Sequence, residues 1–505
     1  MNETPVVNPW LTAIAVMAAT FMVVLDTTVV NVSLPYIAGS LSATVNESTW
    51  ALTSYVAANA IILPMTGWLA SMLGRKRLLI GSVVGFTVAS ALCGLAPTLP
   101  MLILFRVIQG ATGGVMQPMS QAVLLEAFAP AERGKAMGFW GLGIVVAPIL
   151  GPVLGGWLTD NYSWRWVFYI NIPIGVLSVV LIRMFVHDPA YLKRAAGATI
   201  DYLGIGLMTV GIGCLQIMLD KGQEDDWFQS TLITTMAVLA IGGLIAFVVR
   251  ELNTEHPIVD LHIFKDRTYA VGATLMTVVG FVLFGSLVLL PVMMQTLLGY
   301  PPIQAGIALA PRGIGSLIAM PLVGLITQRV DSRKLVALGL LMGGVTLIWL
   351  GDLNLAAGYW DFFWPQFLQG VALGLLFVPL TTVTMGSIAR EQMGNAASIF
   401  NLVRNIGAGV GIASVTTMLT RDRATHAAAL GEHITMYDAR ISARVGAIPD
   451  LHVVAGLQGT VMRQAALMSF IDSFRILGWV FLALIPLVLL MRRQAKHAPV
   501  VVVAE

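Results

Sequence analysis

Apolar runs of about twenty residues recur along this sequence, from 10–34 at one end to 397–419 and 472–491 at the other. Fourteen such runs occur, separated by short polar breaks. A membrane-crossing helix needs about 20 predominantly apolar residues. Inside a bilayer every backbone group must be satisfied within the protein, which leaves helices and closed barrels. These runs are continuously apolar rather than alternating, so a barrel is excluded. Composition agrees: 57% of the 505 residues are apolar and 11% are charged, against about 25% charged in an ordinary soluble domain. That rules out a soluble enzyme, a disordered chain and a nucleic-acid binder. The expected fold class is an all-α polytopic membrane protein.

The charges set the topology. With the N-terminus inside, seventeen basic residues fall in inner loops and the C-terminal tail, including Arg75, Lys76, Arg77, Arg133, Arg333 and Lys334. The short outer loops hold only Arg165 and Lys221. The positive-inside rule therefore puts both termini in the cytoplasm. The first run lacks an A-x-A-like cleavage site and reads as an uncleaved span. Cys93 and Cys214 lie in apolar stretches and imply neither a disulfide nor a thiolate metal site.

The sequence repeats itself. Gly67…Lys76-Arg77-Leu78 returns as Gly324…Arg333-Lys334-Leu335, an offset of 257. Gln109-Gly110 and Gly114 return as Gln369-Gly370 and Gly374, an offset of 260. Two echoes in nearly one register predict two parallel six-helix halves, with two spans inserted between them. The boundaries are 1–187 for the first half, 188–268 for the insert, 269–498 for the second half and 499–505 for the tail. The second half includes a long outer segment, 420–470, in which no stretch reads as a span. Parallel halves with a site at their interface are a transporter architecture.

Several motifs sit on this frame. Leu25-Asp26-Thr27-Thr28-Val29-Val30-Asn31-Val32-Ser33-Leu34-Pro35 places one carboxylate in the middle of span one. An ionised Asp there costs at least ~2.5 kcal/mol. Burial disfavours the charged form of a carboxyl group, which suits one that takes a proton from one side and releases it to the other. In span four, Arg106-Val-Ile-Gln109-Gly110-Ala-Thr-Gly113-Gly114 carries a permanent cation that needs an anion, water or carbonyls. Its position in the second half is Gln366, so proton handling is expected in the first half only. The alternative is that Arg106 snorkels to the outer interface. Span five reads Gly141…Pro148-Ile-Leu-Gly151-Pro152-Val-Leu-Gly155-Gly156, with small residues for close packing and prolines for a bend.

With these motifs the chain resembles the major facilitator superfamily, in its fourteen-helix drug:proton antiporter branch and its EmrB type of multidrug efflux pump. The resemblance runs through nearly the whole chain. It implies that Asp26 and Arg106 pair and couple proton movement. It implies that Gly67, Gly74, Arg75 and Lys76 form a gating loop, although Ser71 and Met72 replace the family's charged residues. Topology and a tight turn explain the same basic residues. It also implies that Gly141, Pro148, Gly151, Pro152, Gly155 and Gly156 mark the helix associated with export. Asn31, Gln109, Gln117, Gln121, Gln295 and Gln366 are candidates to line the substrate cavity. Trp164 and Trp166 read as interfacial belt residues, Asn171 and Arg165 as structural ones, and Glu224–Asp226 as a solvated turn.

The expected activity is proton-coupled export of amphipathic small molecules, with no cofactor beyond the proton gradient and no metal. The expected partners are an EmrA-like periplasmic adaptor and a TolC-like outer-membrane channel, and the expected location is a bacterial inner membrane. Segment 420–470 would pack over the outer mouth or dock the adaptor. No HExxH, GxSxG or Walker A motif is present, and the seven histidines are scattered, which argues against an enzyme or an ATP-driven pump. A dedicated exporter of one metabolite, such as a fatty acid or siderophore, stays open.

Overall fold

A computed structural model describes residues 8–491, apart from 131, 189–200, 256, 328, 433 and 435–450. Among the described residues, fourteen helices are long and apolar enough to cross a membrane. The first half comprises α1 (Pro9–Ser40), α2 (Trp50–Leu73), α3 (Arg75–Leu95), α4 (Leu99–Ala127), α5 (Arg133–Asn161) and α6 (Trp166–Phe185). The insert is α7 (Tyr202–Lys221) and α8 (Thr231–Asn253). The second half comprises α9 (Arg267–Thr296), α10 (Gln304–Ile326), α11 (Ser332–Leu350), α12 (Tyr359–Gly386), α13 (Arg390–Glu432) and α14 (His452–Val488). No strand occurs among the described residues.

Local chemistry starts these helices where they start. On the basic, inner side, Asp201, Asp266 and Asp331 accept hydrogen bonds from the backbone N–H of Gly204 (3.0 Å), Tyr269 (2.7 Å) and Arg333 (3.0 Å). Each satisfies a donor that a first helical turn leaves free. Gly74 separates α2 from α3 at φ +83° and ψ 149°, a backbone region essentially restricted to glycine. The break reverses the chain at the inner surface.

The segment 420–470 departs from expectation. Helix α13 runs unbroken to Glu432 and α14 begins well before residue 472. An apolar-run reading detects only the portion in contact with lipid. The continuation Arg421–Glu432 is polar but rich in alanine, a strong helix former. Forty residues from Met393 to Glu432 span about 60 Å at 1.5 Å per residue, twice the roughly 30 Å hydrocarbon core. His426 of this extension pairs with Asp472 at 2.8 Å, and Arg463 donates to the Leu297 carbonyl at 2.9 Å. Residues 435–450, with Arg440, lie outside the described residues. So do Lys193, Arg194, Arg492, Arg493 and Lys496 of the topology argument, and the tail 499–505.

Two smaller readings also change. Trp166 is exposed, but Trp164 is buried in the first half with the Arg165 guanidinium 4.5 Å from its ring. Glu224 is not merely solvated, because it accepts from Lys221 Nζ at 2.7 Å.

The halves approach each other on the inner side through two related helix pairs. In α5 against α10, a Cβ on Gly138 would lie 2.7 Å from the Met320 carbonyl oxygen, and one on Gly134 would lie 3.0 Å from the Gly324 oxygen. In α2 against α13, a Cβ on Gly67 would lie 2.7 Å from the Asn395 backbone nitrogen. The outer part of α5 turns to its own half: a Cβ on Gly155 would lie 2.8 Å from the Val29 oxygen of α1. Halves joined at their inner ends make an outward-facing arrangement. Helix α7 lies along the seam between α2 and α13. Its Asp220 accepts from Thr53 and its Lys221 donates to Thr49, both on the first half. Beyond α7, the Trp227 indole donates to Thr417 of α13 at 2.9 Å.

Candidate functional site

Asp26 sits midway along α1 and is fully buried, as is Arg106. Arg106 Nη1 donates to Asp26 Oδ2 at 2.6 Å. The same nitrogen donates to Gln109 Oε1 at 2.7 Å, and Arg106 Nε donates to the Ala51 carbonyl at 3.0 Å. The other carboxylate oxygen accepts twice, from Gln109 Nε2 at 2.9 Å and from Asn171 Nδ2 at 2.7 Å. Asn171 also donates to Ser90 Oγ at 3.0 Å. Tyr55 closes one side, with Arg106 Cζ 4.0 Å from its ring centroid. A cation over an aromatic face gains up to about 2 kcal/mol when desolvated. Five helices of the first half, α1, α2, α3, α4 and α6, thus meet in one cluster: α4 and α6 bond to the carboxylate on α1, while α2 holds Arg106 and α3 holds Asn171.

This geometry can hold a charge where lipid alone could not. Two unlike charges in contact, with further donors on the carboxylate, offset much of the desolvation that each would suffer singly. It also ties α1 to α4 and α6 through one titratable group. Adding a proton to Asp26 removes the anion to which α4 and α6 are bonded.

The glutamines expected in the cavity divide between different places. Gln109 belongs to the charge cluster. Gln121 Oε1 accepts from Asn401 Nδ2 at 2.5 Å, and Gln117 Oε1 accepts from Arg404 at 2.9 Å. These two bonds join α4 to α13 across the halves, so they form part of the inner closure. Gln366 is buried inside the second half, 3.4 Å from Gln369. Asn31 and Gln295 are exposed in the outer parts of α1 and α9. Ser90 and Tyr55 are cluster members that the sequence reading missed, and Asn171, read there as structural, is a direct partner of Asp26. For Asn171 a signal existed, an amide inside the apolar run Ile170–Pro173.

The gating-loop residues do two jobs. Gly67 permits the α2–α13 approach. Arg75 pairs with Glu126 at the inner end of α4, and Lys76 Nζ donates to the Arg183 carbonyl at 2.7 Å. Ser71 Oγ donates to the Trp68 carbonyl, one turn back on its own helix. The glycines of α5 also divide. Gly141 faces Met320 across the closure, Gly151 and Gly155 face Thr28 and Val29 of α1, and Gly156 meets nothing within 4 Å. Inside the helix, Pro148 lies between these two contact regions and Pro152 within the outer one. One helix therefore touches both the closure and the strip of α1 that follows Asp26.

Comparison with known proteins agrees with this architecture. The Major Facilitator Superfamily model matches residues 16–412. Over 489 residues the chain is 40% identical to the fatty acid resistance protein FarB of Neisseria gonorrhoeae, covering 95% of each. It is 41% identical over 438 residues to the multidrug export protein EmrB of Haemophilus influenzae, covering 85% of this chain and 84% of that one. It is 37% identical over 487 residues to EmrB of Escherichia coli K12, covering 94% of each. Among solved structures, the human organic anion transporter MFSD10 superposes with a TM-score of 0.60 at 12% identity, over 95% of this chain and all of that one. The proton:xylose symporter XylE superposes at 0.57 and 15% identity, over 92% and 94%. At such identities these two speak for the fold alone.

Proposed function

The chain belongs to the major facilitator superfamily, and on that premise we propose that this membrane transporter is a proton-coupled exporter of amphipathic small molecules. The observation that carries the proposal is the fully buried Asp26, held by Arg106, Gln109 and Asn171 on a helix packed against the closure helix α5. A proton arriving from the outer side neutralises Asp26 and weakens its hold on Arg106. Helix α1 is then less tightly bound to α4 and α6, and its packing on α5 passes that change to the α5–α10 closure. The outer side shuts and the inner side opens. Substrate entering from the inside favours the deprotonated, outward-facing form. Coupling of this kind is reciprocal and needs no contact between substrate and proton.

The names of the relatives, multidrug export and fatty acid resistance, support hydrophobic or amphipathic cargo. By the same likeness the proposed location is a bacterial inner membrane. The proposed assembly is a three-part efflux system with a periplasmic adaptor, for which the outer extension of α13 and α14 is the proposed docking element. No cofactor enters this cycle beyond the proton gradient. A second reading is a dedicated exporter of one fatty acid, favoured by the similarity to FarB across 95% of both chains. The test is drug and fatty-acid uptake into everted vesicles. Wild type should accumulate substrate only while the pH gradient stands, and Asp26→Asn should not. Equal accumulation by both would refute the coupling.

A further inference from the structure

The two halves are built on one plan, and the second half lacks the one anion that the plan contains. The echo offsets carry Tyr55 onto Arg312, Arg106 onto Gln366, Gln109 onto Gln369, and Asp26 onto Leu283 or Ser286. Packing supports this register. Gly110 of α4 is pressed against the Tyr55 carbonyl, and Gly370 of α12 is pressed in the same way against the Arg312 carbonyl. The second half therefore holds a guanidinium on α10 where the first half holds one on α4. No carboxylate takes the place of Asp26.

Arg312 is 5% exposed. Neither Nη1 nor Nη2 has a hydrogen-bond partner, and it forms no ion pair among the described residues. A guanidinium stays charged in proteins, and a charge within the membrane is costly unless paired. In native structures a buried, unpartnered polar group calls for an explanation. Arg312 lines a small cavity between α9, α10, α11, α12 and α14, with room for a particle about the size of a water molecule. Ser286 and Gln369 also line it; the Gln369 amide nitrogen can donate, and the Ser286 hydroxyl, which now donates to the Leu283 carbonyl at 2.9 Å, must rotate to do so. The remaining wall is apolar, with Leu283, Leu373 and Phe481 among its members. A cation, an amide donor and a hydroxyl that can turn to donate, at the edge of an apolar chamber, select an anion of single charge and small radius.

We propose that Arg312, Ser286 and Gln369 form a binding site for a monovalent anion inside the second half, at the position related by pseudo-symmetry to the Asp26–Arg106 pair. The first half carries its counter-anion on the chain, and the second half borrows one. A free halide matches the cavity as it stands; the carboxylate head of a hydrophobic acid shares this chemistry but requires the apolar wall to part for its chain. The site is read at equilibrium without a proton gradient, so it stands or falls separately from proton coupling.

The test is chloride-35 NMR on the purified full-length protein in detergent at fixed ionic strength, with gluconate as the balancing anion. Binding to a large protein broadens the chloride line. Saturable broadening that falls at least tenfold in Arg312→Gln, and is reduced in Ser286→Val and Gln369→Leu, establishes the site. Loss of that broadening on adding decanoate assigns the same site to carboxylates as well. If chloride gives no saturable signal but radiolabelled decanoate binds with the same Arg312 dependence, the occupant is the acid. Arg312→Lys keeps the charge and controls for folding; it should retain measurable binding. The proposal is overturned if neither anion binds saturably, or if binding is equal in wild type and in the folded Arg312→Gln, Ser286→Val and Gln369→Leu proteins.

Discussion

Asp26 and Arg106 are each other's counter-charge inside the membrane. Removing one partner of a buried ion pair leaves the other uncompensated and typically costs about 3–5 kcal/mol. Arg106→Ala should therefore lower the thermal unfolding temperature in detergent markedly. The double variant Asp26→Asn/Arg106→Ala should recover much of that loss, because no charge is then stranded. Equal destabilisation by the single and double variants would show that the pair is not the unit of stability. The pair itself was legible in the sequence, because an acid and a base inside apolar runs have few compatible neighbours. Its amide partners were not. A glutamine or asparagine both donates and accepts, so it suits a cavity wall, a helix interface or a charge cluster equally well. Gln109, Gln117, Gln121 and Gln366 look alike in sequence, yet only Gln109 reaches Asp26.

At the scale of elements, α5 links the site to the closure. Its inner glycines let the halves meet and its outer glycines let α1 approach. A side chain at Gly138 would collide with the Met320 backbone, which cannot move aside as a flexible side chain can. Gly138→Val should therefore shift the population toward the inward-facing form. Spin labels on the inner ends of α5 and α10 should report longer distances in this variant than in wild type, and unchanged distances would contradict the closure role. The glycine-rich pattern of α5 was visible in the sequence. Which glycines faced which partner was not, because that depends on the rotation of the helix. Helix α13 shows the converse: its lipid-crossing portion was evident, and its outer extension was hidden by polar residues that favour helix without favouring lipid.

The whole molecule is two similar halves closed at their inner ends, with an insert along one seam and long helices extending outward. The halves were legible from two short echoes, since glycines at close helix contacts and basic residues at inner turns serve the same purpose in each half. That the second half lacks the Arg106 charge was legible too, as Gln366; that it holds an unpaired guanidinium on α10 instead appeared only when the echo was placed in space. The outer extension belongs to this scale too. Deleting 425–460 removes parts of both long helices while leaving their membrane-crossing portions. The variant should insert and remain stable but no longer co-purify with an adaptor expressed beside it, and retained co-purification would place docking elsewhere.

The claim on which the account turns is that Asp26 gives up a proton when substrate binds. Substrate added to purified protein in weakly buffered detergent, with a pH-indicator dye, should release protons from wild type in proportion to occupancy. Asp26→Asn should bind substrate and release none. Proton release from Asp26→Asn equal to that of wild type, or substrate binding to wild type with no release at any pH, would contradict it.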